Sequence, residues 1–424
     1  MDINEKALLI GIDDTAGGLA ERSLDELTEL VENCGAEVVG RLSQKRDAPD
    51  TVTWFGSGKL AEAFDLAESL GATLLVADAE LSPRQLRNIA AKTSLKVLDR
   101  TAIILDIFAQ RAMSEEGKIQ VELAQMRYRL TQLTGYGEAL SRLGGGIGTR
   151  GPGESKLESD RRHIMRRVAT LKARQDELRK RRGIFRAQRR KKDVSVVAVV
   201  GYTNAGKSTL TNALCGSDIA AADRLFMTLD PTVRRLDEDG RQIVLVDTVG
   251  FIRNLPQHLA EAFKATLEEV TAADYLMVVV DASDPDASDQ LNVVMAQLRQ
   301  LEAEAKPTLL VLNKIDRASQ AQIDDVRTSG CQKLDGCLEV SATRGDGIAE
   351  LRAYLLDWPK RRQLPLSVTL DYADAGLVHH LQTFGDLESV DYAEAGIRLR
   401  GSIDPRHLAP FLPYITKGDE SHDS

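Results

Sequence analysis

The stretch Gly201-Tyr202-Thr203-Asn204-Ala205-Gly206-Lys207-Ser208 fits the frame G-x-x-x-x-G-K-[ST] and stands directly behind an apolar, β-branched run at 196–200. No other feature constrains the fold as tightly. A strand must feed a tight loop whose backbone N–H groups converge on a phosphate at the start of a helix. The helix expected from Lys207 carries Leu210, Ala213 and Leu214 on one face, ready to pack against a sheet. The motif therefore predicts an α/β unit, with Lys207 bridging the β- and γ-phosphates and the Ser208 hydroxyl binding Mg²⁺.

Three further segments follow in the order that a guanine-nucleotide site requires. Residues 243–246 read as a buried strand ending in Asp247-Thr248-Val249-Gly250. There a carboxylate can hold the metal through water, and the Gly250 N–H can meet the γ-phosphate, which makes the chain from 250 onward a hydrolysis-sensitive switch. The run 309–312 leads into Asn313-Lys314-Ile315-Asp316. A carboxylate at 316 accepts hydrogen bonds from the guanine N1–H and exocyclic amine. Adenine presents no such donor pair, so the expected ligand is GTP rather than ATP. Ser341-Ala342-Thr343 can supply a backbone N–H to guanine O6. Between Ser208 and Asp247 a threonine is needed to complete the metal's shell, and Phe226-Met227-Thr228-Leu229-Asp230-Pro231-Thr232 offers Thr228 and Thr232.

Hydrolysis needs a water held in line with the γ-phosphate. Many GTPases place a glutamine after the D-x-x-G glycine, but here the residue is Phe251, which can neither orient nor deprotonate water. Slow intrinsic turnover follows, with a partner surface or a cation completing the site. Asn204 falls at the loop position that cation-stimulated GTPases use to coordinate potassium; K⁺ stimulation and ordinary loop hydrogen bonding are both open readings.

The 424 residues are too many for one core, and the pattern divides them into four units. Residues 1–114 alternate strand and helix, with strand-like runs at 7–12, 36–42, 73–77 and 95–98 and helices at 24–34 and 83–91, the latter with Ser82 as N-cap before Pro83. Gly56-Ser57-Gly58-Lys59 lacks the full phosphate-loop frame and reads as a plain turn before a helix. Residues 115–192 carry apolar seams at Ile119, Leu123, Met126, Leu130, Leu133 and again at Leu157, Ile164, Val168, Leu171, Leu178, which predict an antiparallel helical hairpin. A tip at 134–155 holds eight glycines, and Gly183 is expected to interrupt the second arm. Residues 193–360 form the nucleotide unit, with 360–362 as a hinge, and 361–424 a small α/β module that names no chemistry.

Net charge is −9, but residues 150–192 hold 17 Lys and Arg against 5 Asp and Glu, a local +12 that leaves −21 elsewhere. The competing reading of that run is a solvated helix face. The sparse acidic compensation and the glycine tip favour nucleic-acid phosphates, with Arg142, Gly145, Arg150, Arg161, Arg162 and Arg166 as candidate RNA contacts. Apolar content of 43%, with no run near the roughly 20 residues that span a bilayer, predicts a soluble chain. The acidic start lacks a signal peptide's layout, so a cytoplasmic location is expected. Cys34, Cys215, Cys331 and Cys337 form no C-x-x-C pair and read as reduced thiols.

Taken together, Gly201–Ser208, Phe-Met-Thr-Leu-Asp-Pro-Thr (226–232), Asp-Thr-Val-Gly-Phe (247–251) and Gly-Gly-Gly-Ile-Gly-Thr-Arg-Gly-Pro-Gly-Glu (144–154) resemble the HflX family, in the Obg–HflX group of P-loop GTPases. The resemblance covers about residues 5–360. It implies that Thr228, rather than Thr232, is the switch threonine on Mg²⁺, so that Lys207, Thr228 and Gly250 form the catalytic set. Met227 departs from the small residue often seen in that segment. The chain is expected to be a monomer, and the resemblance further implies that it binds the large ribosomal subunit and its RNA with GTP bound, hydrolyses GTP to GDP, and splits or rescues stalled ribosomes under stress. A regulatory or assembly factor docking on ribosomal RNA without splitting is the alternative. An RNA-modifying enzyme is disfavoured, because 1–192 carries no flavin, methyl-donor or metal-cluster motif.

Overall fold

A computed structural model of the chain describes residues 5–13, 19–143, 152–191, 194–216, 231–238, 241–253, 267–330 and 334–415. The N-terminal part is a parallel sheet of β1 (Lys6–Asp13), β2 (Glu37–Lys45), β3 (Leu74–Ala77) and β4 (Lys96–Asp99), in the order β2-β1-β3-β4. Leu8, Leu9 and Ile10 are all buried, as expected of a strand covered on both faces. Its helices are α1 (Leu19–Asn33), α2 (Ser57–Leu70), α3 (Pro83–Ala90) and α4 (Arg100–Arg111). Ser82 closes the expected cap on α3 as a reciprocal capping box with Gln85, and Gly56 is the N-cap of α2, the plain reading of that glycine turn. Asp99 caps α4 through Ala102 N at 2.8 Å and also accepts Leu81 N and the Tyr128 hydroxyl, fixing the next helix to the sheet edge.

That next helix, α5 (Glu115–Leu143), and α6 (Pro152–Lys191) form the hairpin. Ile119, Leu123 and Leu171 are its buried seam, with Met126, Val168 and Leu178 against them. Both arms outrun the sequence expectation. At 29 and 40 residues they are about 43 and 60 Å long at 1.5 Å per residue. Gly135, Gly137 and Gly183 do not stop them. Each helical glycine costs about 1 kcal/mol relative to alanine, and the surrounding Glu, Ala, Leu, Lys and Arg are strong helix formers. Acidic compensation is also denser than charge counting suggested. Arg167 makes a bidentate pair with Glu122 (2.6 and 2.8 Å), Arg174 pairs with Glu115, and Arg182 with Glu116.

The nucleotide-motif segment builds six strands, β5 (Ser195–Gly201), β6 (Thr232–Glu238), β7 (Arg241–Asp247), β8 (Tyr275–Asp281), β9 (Thr308–Asn313) and β10 (Gly336–Glu339). Their order is β10-β9-β8-β5-β7-β6, with β6 antiparallel and the others parallel. Around them lie α7 (Lys207–Cys215), α8 (Ala287–Gln300), α9 (Gln320–Gly330) and α10 (Ile348–Arg361). The hinge expected at 360–362 begins instead as the last turn of α10, anchored by buried Trp358 between Tyr275 and Tyr354. The C-terminal part pairs β11 (Leu364–Leu370), β12 (Gly385–Ala393) and β13 (Gly396–Ile403) antiparallel in the order β11-β13-β12, with α11 (Gly376–Phe384) on one face. β12 escaped the sequence reading because it is an edge strand rich in Asp and Glu with no fully buried residue.

Candidate nucleotide-binding site

The motif segments among the described residues converge at the C-terminal ends of β5, β7, β8 and β9, where open α/β sheets bind ligands. β5 ends at Gly201, whose φ is +155°; a Cβ there would stand 2.2 Å from the Val279 carbonyl oxygen of β8, so the sheet leaves room only for glycine. Asn204 adopts φ 63°, a conformation asparagine tolerates, and is exposed. Gly206, φ +86°, is the N-cap of α7, leaving the first turn's N–H groups to face a ligand.

Lys207 is buried, and its Nζ donates to the carbonyls of Gly201 (3.2 Å) and Tyr202 (2.7 Å), which holds the ammonium against the loop. Burial pushes its pKa down to about 8, with Asp247 opposing. The Ser208 hydroxyl donates to Asp247 Oδ2 at 2.6 Å, bringing the two expected metal-side groups together although 39 residues separate them. Thr248 donates its hydroxyl to Val199 O, and Val249 is buried in the apolar core, so their side chains serve packing. Gly250 lies over the loop: a Cβ would meet Thr203 Cα at 2.8 Å and Lys207 Nζ at 2.9 Å. Phe251 continues the contact, donating N–H to Gly201 O and accepting from Thr203 N. Its ring is 3% exposed, inside the core rather than facing the phosphate position.

The base side is joined to the phosphate side by Asn313. Its Nδ2 donates to Ala205 O at 2.9 Å and its Oδ1 accepts from Ala342 N at 3.1 Å. Lys314, at φ 61°, reaches Asn204 O at 2.9 Å and Asp281 Oδ2 at 2.7 Å. Ile315 is half-buried against the core. Asp316 accepts the Ser341 hydroxyl at 2.7 Å, which holds its carboxyl below the usual range. Thr343 Oγ1 lies 3.3 Å from the same hydroxyl. Asp281 was not read from the sequence as a site residue. Its signal was available: a carboxylate ending the apolar run of β8, just as Asp247 ends β7.

Phe226, Met227, Thr228, Leu229 and Asp230 lie outside the described residues, as do Gly145 and Arg150 of the hairpin tip. Arg142 falls within α5. Arg161, Arg162 and Arg166 are exposed along α6, remote in sequence from the motifs; Arg162 approaches Glu158 at 3.9 Å.

Three family profiles match in series: a GTP-binding GTPase N-terminal region over residues 21–109, a GTP-binding GTPase middle region over 111–189, and a 50S ribosome-binding GTPase over 196–314. The GTPase HflX of Lacrimispora saccharolytica is 46% identical over 398 residues, 93% of each chain. This chain belongs to the HflX family of GTPases. The HflX of Caldanaerobacter subterraneus is 43% identical over 94% of this chain and 91% of its own, and that of Escherichia coli 45% over 74% of each. Among solved structures, the SsGBP–GDP complex aligns with a TM-score of 0.47 and 25% identity, covering 84% of this chain and 99% of its own. As an HflX-family GTPase the chain binds GTP and hydrolyses it. No helix among the described residues is long and apolar enough to cross a membrane.

Proposed function

We propose that this HflX-family chain is a GTP-switched factor that binds the large ribosomal subunit in its GTP state, acts as a monomer, and separates or rescues stalled ribosomes. The observation that carries this reading is the hairpin. Two long helices flank the glycine-rich sequence 144–151, the second carries exposed Arg161, Arg162 and Arg166, and it precedes in sequence the strand that opens the phosphate loop. The 50S ribosome-binding description of the matching profile supports the choice of polyanion. Within the site we assign residues 201–208 to the phosphates, Gly250 to the γ-phosphate, Asp316 to the guanine N1–H and amine, and Ala342 N–H to guanine O6. Thr228 completes the metal shell in this reading. Ser208 and Asp247 are hard oxygen donors side by side, the type Mg²⁺ selects, so the residues fit that ion. When bound, Mg²⁺ neutralises charge on the β- and γ-oxygens.

Phe251 is turned into the core, so the in-line water must be held by a group from elsewhere, and a ribosomal surface is our assignment. A potassium ion beside Asn204 is the second source. The test is co-sedimentation with large subunits. Binding should require GTP or a non-hydrolysable analogue and weaken steeply with salt; equal binding with GDP or no nucleotide would sink the switch. Unchanged light scattering of intact ribosomes, with binding retained, would point to docking without splitting.

A further inference from the structure

The N-terminal and nucleotide-binding sheets share one continuous apolar cluster, running from Leu9, Leu27 and Ile104 to Phe251, Ile252 and Val278. At this junction lies a polar chain that the nucleotide site does not use. Arg100, 1% exposed, is 2.6 Å from Asp78 Oδ1 and 3.0 Å from Glu26 Oε1. The other Glu26 oxygen accepts the Tyr202 hydroxyl at 2.9 Å. That hydroxyl in turn accepts the backbone N–H of Arg253 at 2.9 Å, and the Arg253 side chain reaches Asp286, which also pairs with Arg22 of α1. Tyr202 belongs to the phosphate loop and Arg253 stands three residues past Gly250, so one phenol touches the loop, the switch segment and the N-terminal unit at once.

We propose that Glu26, Arg100 and Tyr202 form a latch through which the switch segment 250–253 controls docking of the N-terminal unit, with Tyr202 as its positioning residue. This rests on the reading of Gly250 as the γ-phosphate contact. Phe251, next to Gly250, is hydrogen-bonded across the loop to Gly201 and Thr203, so a shift that brings the Gly250 N–H to a γ-phosphate is passed along the chain to Arg253, two residues beyond Phe251. A displacement of about 1 Å takes a 2.9 Å hydrogen bond beyond the useful range. The Tyr202 hydroxyl then loses its donor from the switch segment, and its own bond to Glu26, which helps offset the burial of that carboxyl, is left without that support. A buried ion pair contributes little net stability against its desolvation, but it demands one geometry. That combination suits a joint that must fit closely and still open. By linkage, docking of the N-terminal unit must favour one nucleotide over the other by the same factor, on the scale of roughly 5- to 150-fold for coupled sites.

The test uses the full chain and its Glu26→Gln variant, with hydrogen exchange and nucleotide affinity read in GDP and in a non-hydrolysable GTP analogue. The expected result is that amides of α1 and of 251–253 exchange differently in the two states in the wild type. In Glu26→Gln the α1 difference should collapse, and the ratio of the two affinities should move by about fivefold or more. If 251–253 respond to the analogue while α1 does not, or if a folded Glu26→Gln keeps its affinity ratio within about twofold, well inside that coupling range, the latch is wrong and the switch reading stands. If 251–253 do not respond at all, both fall.

Discussion

Replacing Asn313 by alanine isolates the residue that holds the two halves of the nucleotide site in register. The side chain is 1% exposed and makes one bond to each half, Nδ2 to Ala205 O and Oδ1 from Ala342 N. It runs so close under the phosphate loop that a Cβ on Gly206 would stand 2.4 Å from Nδ2. Truncation leaves two backbone groups without their partner. A buried polar group so stranded costs about 1–3 kcal/mol. The Ala205 carbonyl belongs to a buried residue and bears the full cost, whereas Ala342 is half-buried and bears less. The sum is about 2–4 kcal/mol. In the empty protein both loops can relax toward water and evade much of it, but a bound nucleotide requires both in place. The loss should therefore appear mainly in affinity, at about 30- to 1000-fold for GDP. Fluorescent-GDP titration beside urea unfolding separates the two effects. A folded Asn313→Ala that binds GDP within about threefold of wild type, less than 1 kcal/mol, would refute the linkage.

Asp316→Asn should transfer preference from guanine to xanthine nucleotides, measured by competition; undiminished GTP affinity would mean that another group reads the base. Because the Ser341 hydrogen bond lowers the Asp316 pKa, its carboxylate stays charged at and above the ordinary Asp value. GDP affinity should thus hold flat down to about pH 5 and decline only as pH falls toward the depressed value. The Cys34 thiol is pushed up to about 12 by burial, so alkylation near pH 8 should be far slower in the native chain than after unfolding, and equal rates would contradict its placement. On the hairpin, Arg166→Glu should weaken large-subunit binding and reduce the salt slope by about one, since Arg166 makes no ion pair among the described residues.

The nucleotide site was legible because its chemistry is local: a glycine frame, strand-end carboxylates and buried runs that announce β5, β7 and β9. Elsewhere the local signal is weak and long-range contacts decide the structure. The glycines at 135, 137 and 183 suggest breaks, yet cross-hairpin pairs such as Arg167–Glu122 and the seam at Leu171 favour unbroken arms. The sequence shows that Phe251 stands where many GTPases place a glutamine, but only the tertiary structure gives its ring a place in the core. The latch was invisible for the same reason. Glu26 and Tyr202 are 176 residues apart, and the one local hint was an arginine at the head of the apolar run 101–108.

GTP turnover with and without purified large ribosomal subunits, in potassium and in sodium, bears on the central claim most directly. Since the D-x-x-G segment is followed by a buried phenylalanine, subunits should raise turnover by about a hundredfold or more in either salt, the worth of one missing transition-state contact. A rate that subunits leave unchanged, or that potassium alone brings to its maximum, would contradict the account of a switch completed by the ribosome.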